Sequence, residues 1–179
     1  MFLLCIYYVT GVLSIYSKNL KEVSFFDPLT SQYMFKGRNA KMSFIKNEIH
    51  KNNDIKELEI IKIFCTNEFF ADSDFTVEED KYTTNAPDLI IIAPKIIVES
   101  EVKIDLSCNQ VPGYPDNIKK AKNGEIYGAN GDNGKSGLNG LNGGNLIIVY
   151  GDIIGSSENI KFISNGGTGG PGQDGIKVL

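Results

Sequence analysis

Few side chains in this 179-residue chain could act as nucleophiles, general bases or metal ligands. His50 is the only histidine, and the three cysteines are Cys5, Cys65 and Cys108. A Cys65–His50 nucleophile pair is conceivable, but the residues that flank Cys65 match no nucleophile motif. A zinc site would need His50, both later cysteines and a carboxylate, at spacings that zinc proteins do not use. The sequence therefore predicts no catalytic residue, no cofactor and no zinc.

The carboxylates offer a second kind of chemistry. Polysaccharide lyases and hydrolases with a solenoid fold cluster carboxylates beside a basic group on one parallel sheet. Five aspartates are available for such a cluster: Asp72, Asp74, Asp88, Asp105 and Asp152. No arginine follows Arg38, however. We therefore expect no enzyme, and keep a carbohydrate-active enzyme only as an alternative.

A calcium site is weakly indicated near the carboxyl terminus. Residues 169–177 match the nine-residue template G-G-x-G-x-D-x-U-x, with Asp174 as the carboxylate. Calcium bound in this way is shared between adjacent turns, through several oxygen ligands. Since a single copy supplies half of such a site, no metal is expected, and Asp174 is retained as the one weak candidate.

The amino-terminal segment predicts secretion. Residues 2–16 are apolar and uncharged, and they are too few to cross a bilayer as a helix, which takes about 20 residues. They fit the apolar region of a signal peptide at 1–17, with a hydrophobic anchor or a first strand as alternatives. Cleavage would remove Cys5 and leave Cys65 and Cys108 as a disulfide candidate. Two separate buried thiols are the competing interpretation.

The charge balance narrows the choice of partners. The net charge is −4, and Arg38 is the only arginine, so the planar fork that binds phosphates and guanine edges is nearly absent. We expect no nucleic-acid partner and no transmembrane span after cleavage. An extracellular protein or a glycan is the partner class that the sequence leaves open.

The chain changes character near residue 58. Residues 18–57 are polar and mixed, with a short helix predicted over 39–51 because Met42, Ile45 and Ile49 share one face. Residues 58–179 form a β-rich domain with β-branched runs. This domain carries the glycine tracts, and its abrupt end indicates truncation at the carboxyl terminus.

Two blocks of that domain repeat each other. Residues 88–101 and 145–158 are identical at seven of 14 positions when offset by 57, and after one insertion Val102-Lys-Ile aligns with Ile160-Lys-Phe. Each block predicts three short strands, and a third block starts at Leu58. The predicted strands are 60–64, 68–70 and 75–77, then 89–92, 96–98 and 102–106, then 146–150, 153–154 and 160–163.

This rhythm favours a short parallel β-solenoid with units of about 20 residues, each burying its inward face on the next. A β-sandwich is the alternative. The runs Leu89–Ile92 and Leu146–Val149 are continuously apolar, which predicts burial of both faces and favours the solenoid.

Glycine recurs at every third position in two tracts, 128–143 and 166–175. Collagen uses this period, but the first tract has no proline and is too short for a stable triple helix. Two interpretations stay open. The tracts are either flexible loops of Asn-Gly turns, or extended threefold segments whose glycine edges let two backbones pack closely.

Residues 58–175 resemble a group of uncharacterised glycine-rich predicted proteins of invertebrates. The likeness rests on the strand block, the collagen-like Gly-X-Asn tract and the element Asn165-Gly-Gly-Thr-Gly-Gly-Pro-Gly-Gln-Asp-Gly175. It implies no activity and no functional residue. From the sequence we expect a secreted, non-enzymatic structural or adhesive protein, with a glycan- or host-directed binding module or effector as the alternative.

Overall fold

A computed structural model describes residues 22–78, 81–82, 84–114 and 133–173 of the chain and is mainly β. The predicted signal peptide, Asp174 and the outer ends of both glycine tracts lie outside these residues. The elements in chain order are β1 Val23–Asp27, β2 Gln32–Lys41, α1 Met42–Lys51, β3 Ile60–Phe70, β4 Phe75–Thr76, β5 Asp88–Val98, β6 Val102–Asp105, β7 Leu146–Gly155, a 3-10 turn Ser157–Asn159, and β8 Ile160–Ile163.

The strands form two sheets, and the chain alternates between them. The larger sheet has the order β1-β2-β3-β5-β7, and the smaller one has the order β4-β6-β8. Only β1 and β2 pair in antiparallel fashion; every other pairing among the described strands is parallel. The chain therefore passes from the large sheet to the small one three times, and β3–β4, β5–β6 and β7–β8 are called the three passes below.

The register confirms the internal repeat. Leu89 pairs with Leu146, and Val102 pairs with Ile160, as the alignment of the two blocks predicts. The predicted length of the repeating unit is wrong, because Ile60 pairs with Asp88 and one unit therefore extends from the start of β3 to the start of β5. The prediction of three short strands per block is also wrong, because the first two predicted strands of each block are one continuous strand, β3, β5 or β7.

Alternate residues of the large sheet build the core. Along β5, Leu89, Ile91 and Ile96 are at most 2% exposed and belong to the main core cluster. Ile90 and Ile92 point to the other face and are only half-buried. The prediction that the apolar runs are buried on both faces is therefore wrong, since the described residues place only one face in the core.

Helix α1 begins at residue 42 rather than 39, and its predicted apolar face is confirmed. Met42, Ile45 and Ile49 are the buried residues of the helix. Its amino terminus is capped from a distant loop, because Asp72 accepts hydrogen bonds from both the backbone N–H and the hydroxyl of Ser43, at 2.9 and 2.7 Å. A carboxylate at this end accepts a hydrogen bond from a backbone N–H that has no partner within the helix. Its negative charge also interacts favourably with the positive end of the helix dipole.

Candidate functional site

The structure does not bring together the residues from which a nucleophile or zinc site was considered. Cys65 is fully buried in the main core, while His50 is exposed and its Nδ1 lies 2.7 Å from Glu78 Oε2. Burial, with a smaller contribution from the charge of Glu22, raises the pKa of the Cys65 thiol to about 12. A thiol in this environment stays protonated and does not act as a nucleophile at neutral pH.

Cys65 and Cys108 do not form the disulfide that their even number allowed. Both are free and buried. Cys65 packs in the main core, whereas Cys108 belongs to a separate small cluster with Tyr82 and Ala86. The competing interpretation, two separate buried thiols, describes this structure because the two side chains serve different packing units.

The five aspartates each serve a separate local contact. Asp72 caps α1, Asp74 accepts a hydrogen bond from Lys103 N, and Asp152 accepts one from Ile153 N. Partial burial disfavours the charged form of Asp105, yet hydrogen bonds from Ser107 and Lys103 hold the pKa of this carboxyl below its ordinary value.

These contacts leave the aspartates distributed along the fold. Within the described ranges, no three histidine, cysteine or acidic side chains could hold a metal ion together. In the same part of the chain, no helix is long and apolar enough to cross a membrane.

The glycine tracts are packed side by side, as the second of the two open interpretations predicts. Hydrogen bonds join the two tracts at every third residue: Gly167 N–H to Leu141 O, Gly170 N–H to Leu138 O, and Gln173 N–H to Lys135 O, at 2.8–2.9 Å. The residue numbers rise along one tract as they fall along the other, so the two run antiparallel.

A third extended segment joins them. Cys108 N–H donates to Asn165 O at 2.9 Å, which places residues 107–113 beside the second tract. The segments 107–113, 135–144 and 164–173 are called the glycine bundle below.

Glycine is required where the bundle segments approach one another. A Cβ on Gly140 would overlap the carbonyl oxygen of Gly167, and one on Gly170 would overlap that of Pro112. In each case the nearest atoms belong to the backbone, which cannot rotate away as a side chain could. The period of three therefore reflects one close backbone contact per turn of an extended threefold segment.

An open polar cleft lies where the bundle meets the large sheet. Its volume is about 400 Å³. Amide and carboxyl side chains dominate the lining, and the residues of the cleft are Glu59, Ile60, Thr84, Asn85, Ala86, Asp88, Asn142, Gly143 and Asn145.

Hydrogen bonds between residues 142–145 and residues 85–88 fix the walls of this cleft. Asp88 Oδ1 accepts bonds from the backbone N–H and the side-chain amide of Asn145, at 2.7 and 2.9 Å. Asn85 Oδ1 accepts a bond from Asn142 N–H at 2.8 Å. The cleft presents several donors and acceptors at fixed positions, which suits a hydroxyl-rich ligand.

The sequence does not predict this cleft, although Asp88 in its lining is one of the five candidate aspartates. The sequence places Asn142 in a glycine tract and Asn145 at the start of a repeat block, and it gives no reason to single out Asn85. The repeat alignment contains one signal: Asp88 and Asn145 occupy equivalent positions, at the beginning of β5 and immediately before β7, and so lie side by side.

No family model, no curated protein and no solved structure matches the chain.

Proposed function

We propose that this chain is a secreted, non-enzymatic β-solenoid with a structural or adhesive role. In this proposal each pass is one coil, β2 and α1 form the first coil, and the glycine bundle extends from one corner. One observation carries the proposal: polar contacts between neighbouring coils recur at a nearly constant separation along the chain.

In each of these contacts a side chain of one coil forms a hydrogen bond with a residue of the next coil. Ser43 bonds Asp72, Asn67 bonds Asn39, and the separations are 29 and 28 residues. The same spacing, 27 to 30 residues, holds for further bonds: Lys62–Gln32, Lys81–Asn52, Lys95–Glu68, Lys103–Asp74 and Gln110–Tyr82.

Between the last two coils the separation is twice as large. Asn145 bonds Asp88 across 57 residues, and Asn165 bonds Ser107 across 58. The extra length is the insertion that contains the first glycine tract. Polar side chains are thus used to hold coils in register, which is the arrangement expected of a scaffold.

The register can be tested by disulfide cross-linking. Lys62 and Ile90 are ladder partners on the outer face, so a Lys62→Cys, Ile90→Cys variant should form a disulfide on mild oxidation. Lys62→Cys with Ile92→Cys, shifted by one alternate position, is the matched control and should cross-link more slowly. A β-sandwich with another strand order would give the opposite ranking or no cross-link in either variant.

The functional part of the proposal needs a separate assay. The immobilised full-length protein should retain polysaccharide- or protein-coated beads without shortening the polymer. Release of new reducing ends from any tested polysaccharide, abolished by substitution of a single aspartate, would refute the non-enzymatic assignment.

A glycan-binding module is the second candidate, because the polar cleft could take a hydroxyl-rich ligand. Asn142→Leu should abolish retention of a glycan-coated bead, since this residue lines the cleft. Asn139→Leu is the matched control, because Asn139 is exposed one triplet earlier in the same tract and does not line the cleft. Equal retention by both variants would exclude the cleft as the binding site.

A further inference from the structure

We propose that two copies of this chain associate through the free edges of β7 and β8, which pair antiparallel about a twofold axis. The last pass is less well buried than the one before it. Leu89 and Ile91 of β5 are at most 1% exposed, but their ladder partners Leu146 and Ile148 are only partly buried. Among the described residues, β7 and β8 each have a strand on one side only.

The same pass concentrates exposed apolar surface. Four large hydrophobic side chains of β7 and β8 are 40–48% exposed: Ile147, Tyr150, Ile154 and Phe162. A long, apolar strand with one unpaired edge readily adds another strand, and monomeric proteins usually protect such an edge with charge, proline or a covering segment. Within β7 the only charged residue is Asp152.

The hydrogen bonds of the neighbouring strands show which backbone groups face the free edge. Leu89 N–H donates to Asn145 O, so in a parallel ladder Asn145 and Ile147 turn their backbone groups towards β5, and Ile148 turns away from it. Ile97 O accepts from Ala71 N–H on the other side of β5.

It follows that Ile97 faces β3 and that its neighbour Ile96 faces β7. The alternation therefore changes phase midway along β5, as its burial pattern also does, and Ile154, the ladder partner of Ile97, turns towards β5 while Ile153 turns to the free edge. Ile148 and Ile153 therefore both present free N–H and C=O groups at the edge.

These two residues make β7 complementary to a second copy of itself. Antiparallel pairing centred between Tyr150 and Gly151 sets Ile148 opposite Ile153 of the second copy, as a hydrogen-bonded pair. Both belong to the inward face, where they pack against the core.

The outward face matches in the same register. Ile147 falls opposite Ile154 of the second copy, and both are 48% exposed in the single chain. Tyr150 falls opposite Gly151, and the two Asp152 carboxylates are kept apart because each faces Val149. A slip of one residue would set inward residues against outward ones and lose the match.

Strand β8 extends the same interface on the small sheet. Phe162 is the ladder partner of the buried Ile104, so it occupies a core position, yet 45% of it is exposed. In the proposed dimer the two β8 edges also face each other. Residues 174–179 of the same chain are another occupant for these edges, and they would leave the protein monomeric.

The association can be tested on the full chain by sedimentation over a range of concentrations. We expect a dimer, and we expect Ile147→Lys to raise its Kd by about tenfold or more, because lysine on an edge strand opposes pairing. Ile90→Lys is the matched control: Ile90 is the ladder partner of Ile147 and lies on the same outward face, but one strand away from the edge. This variant should dimerise as the wild type does.

Hydrogen exchange gives a readout that needs no variant. The amides of Ile148 and Ile153 should exchange more slowly as the dimer forms, while those of Ile147 and Ile154 should be protected at every concentration. A monomer at all concentrations would overturn the proposal, whether or not residues 174–179 cover the edge. Equal loss of the dimer in Ile90→Lys and Ile147→Lys would also overturn it, since association would then use the outward face.

Discussion

Alanine at Gly140 is expected to open the glycine bundle. The added Cβ would overlap the carbonyl oxygen of Gly167, and the next nearest atoms, the carbonyl carbons of Gly167 and Thr168, lie at 2.9 and 3.1 Å. All three atoms are backbone, so the two tracts must separate by roughly 1 Å or more to restore ordinary van der Waals contact. The hydrogen bonds from Gly167 to Leu141 and from Gly170 to Leu138, both 2.8 Å, would then be lost.

The expected cost follows from these losses. Two backbone hydrogen bonds contribute about 1 kcal/mol each, and the overpacking adds about 1 kcal/mol or more. Gly140→Ala should therefore lower the free energy of unfolding of the bundle by about 3 kcal/mol. Gly113→Ala is the matched control, because a Cβ there meets nothing within 4 Å, and it should change stability by no more than about 0.5 kcal/mol.

Two measurements check this prediction. Urea unfolding reports global stability, and hydrogen exchange at the Gly167 and Gly170 amides reports local opening if the bundle separates before the sheets do. Faster exchange at both amides in Gly140→Ala, with wild-type rates in Gly113→Ala, is the expected pattern. If the two variants behave alike, the close contact does not set the glycine period and the reasoning fails.

Three further predictions follow from the structure and the sequence. The pKa of Cys65 is raised to about 12 by burial, so the folded state holds its proton above pH 9 and the unfolded state releases it. Stability should therefore fall between about pH 9 and 12, and Cys65→Ala should flatten this slope in urea titrations. Asp72→Ala removes the cap at Ser43, so it should lower the free energy of unfolding by about 1 kcal/mol and weaken the helical circular-dichroism signal. Asp54→Ala lies outside the cap and should change neither the stability nor this signal. If residues 1–17 are a signal peptide, amino-terminal sequencing of the mature protein should find a start after Ser17, and an intact Met1 on an intracellular product would refute the signal peptide.

The repeat could be predicted from sequence because its strands align without gaps. Five of the seven identities between residues 88–101 and 145–158 fall on residues that are directly paired in the ladder, and the other two lie just beyond its end. The apolar face of α1 could also be predicted, since Met42, Ile45 and Ile49 have the spacing of one helical face.

Strand β2 was missed for a physical reason. Its core side chains, Tyr33 and Phe35, alternate with the polar or flexible residues Gln32, Met34 and Lys36, in a region judged polar by composition. The alternation was present, but Gly37 and the register shift between Gly37 and Asn39 interrupt it. A strand that leads directly into a helix also offers no turn residues to mark its end.

The polar cleft could not be predicted because its walls come from segments that are far apart in the chain. Asn85 and Asn142 are 57 residues apart, and their contact exists only because the inserted tract returns to the sheet beside residues 84–87. A sequence shows the composition of such a loop but not the point at which it returns. Contacts across an insertion therefore depend on the path that the inserted segment takes in three dimensions, and the pattern of neighbouring residues in the sequence does not specify this path.

The spacing of the strands explains why the glycine bundle is rich in glycine. Neighbouring strands of a sheet lie about 4.8 Å apart, and segments that leave adjacent passes at the same corner start out at that separation. Residues 107–113 follow β6 and residues 164–173 follow β8, and the bond from Cys108 N–H to Asn165 O shows that they stay together. Side chains on the facing edges would not fit between backbones held so closely. A threefold extended segment turns one residue in three to each such edge, so glycine at that position is the condition for continuing the strand spacing beyond the sheets.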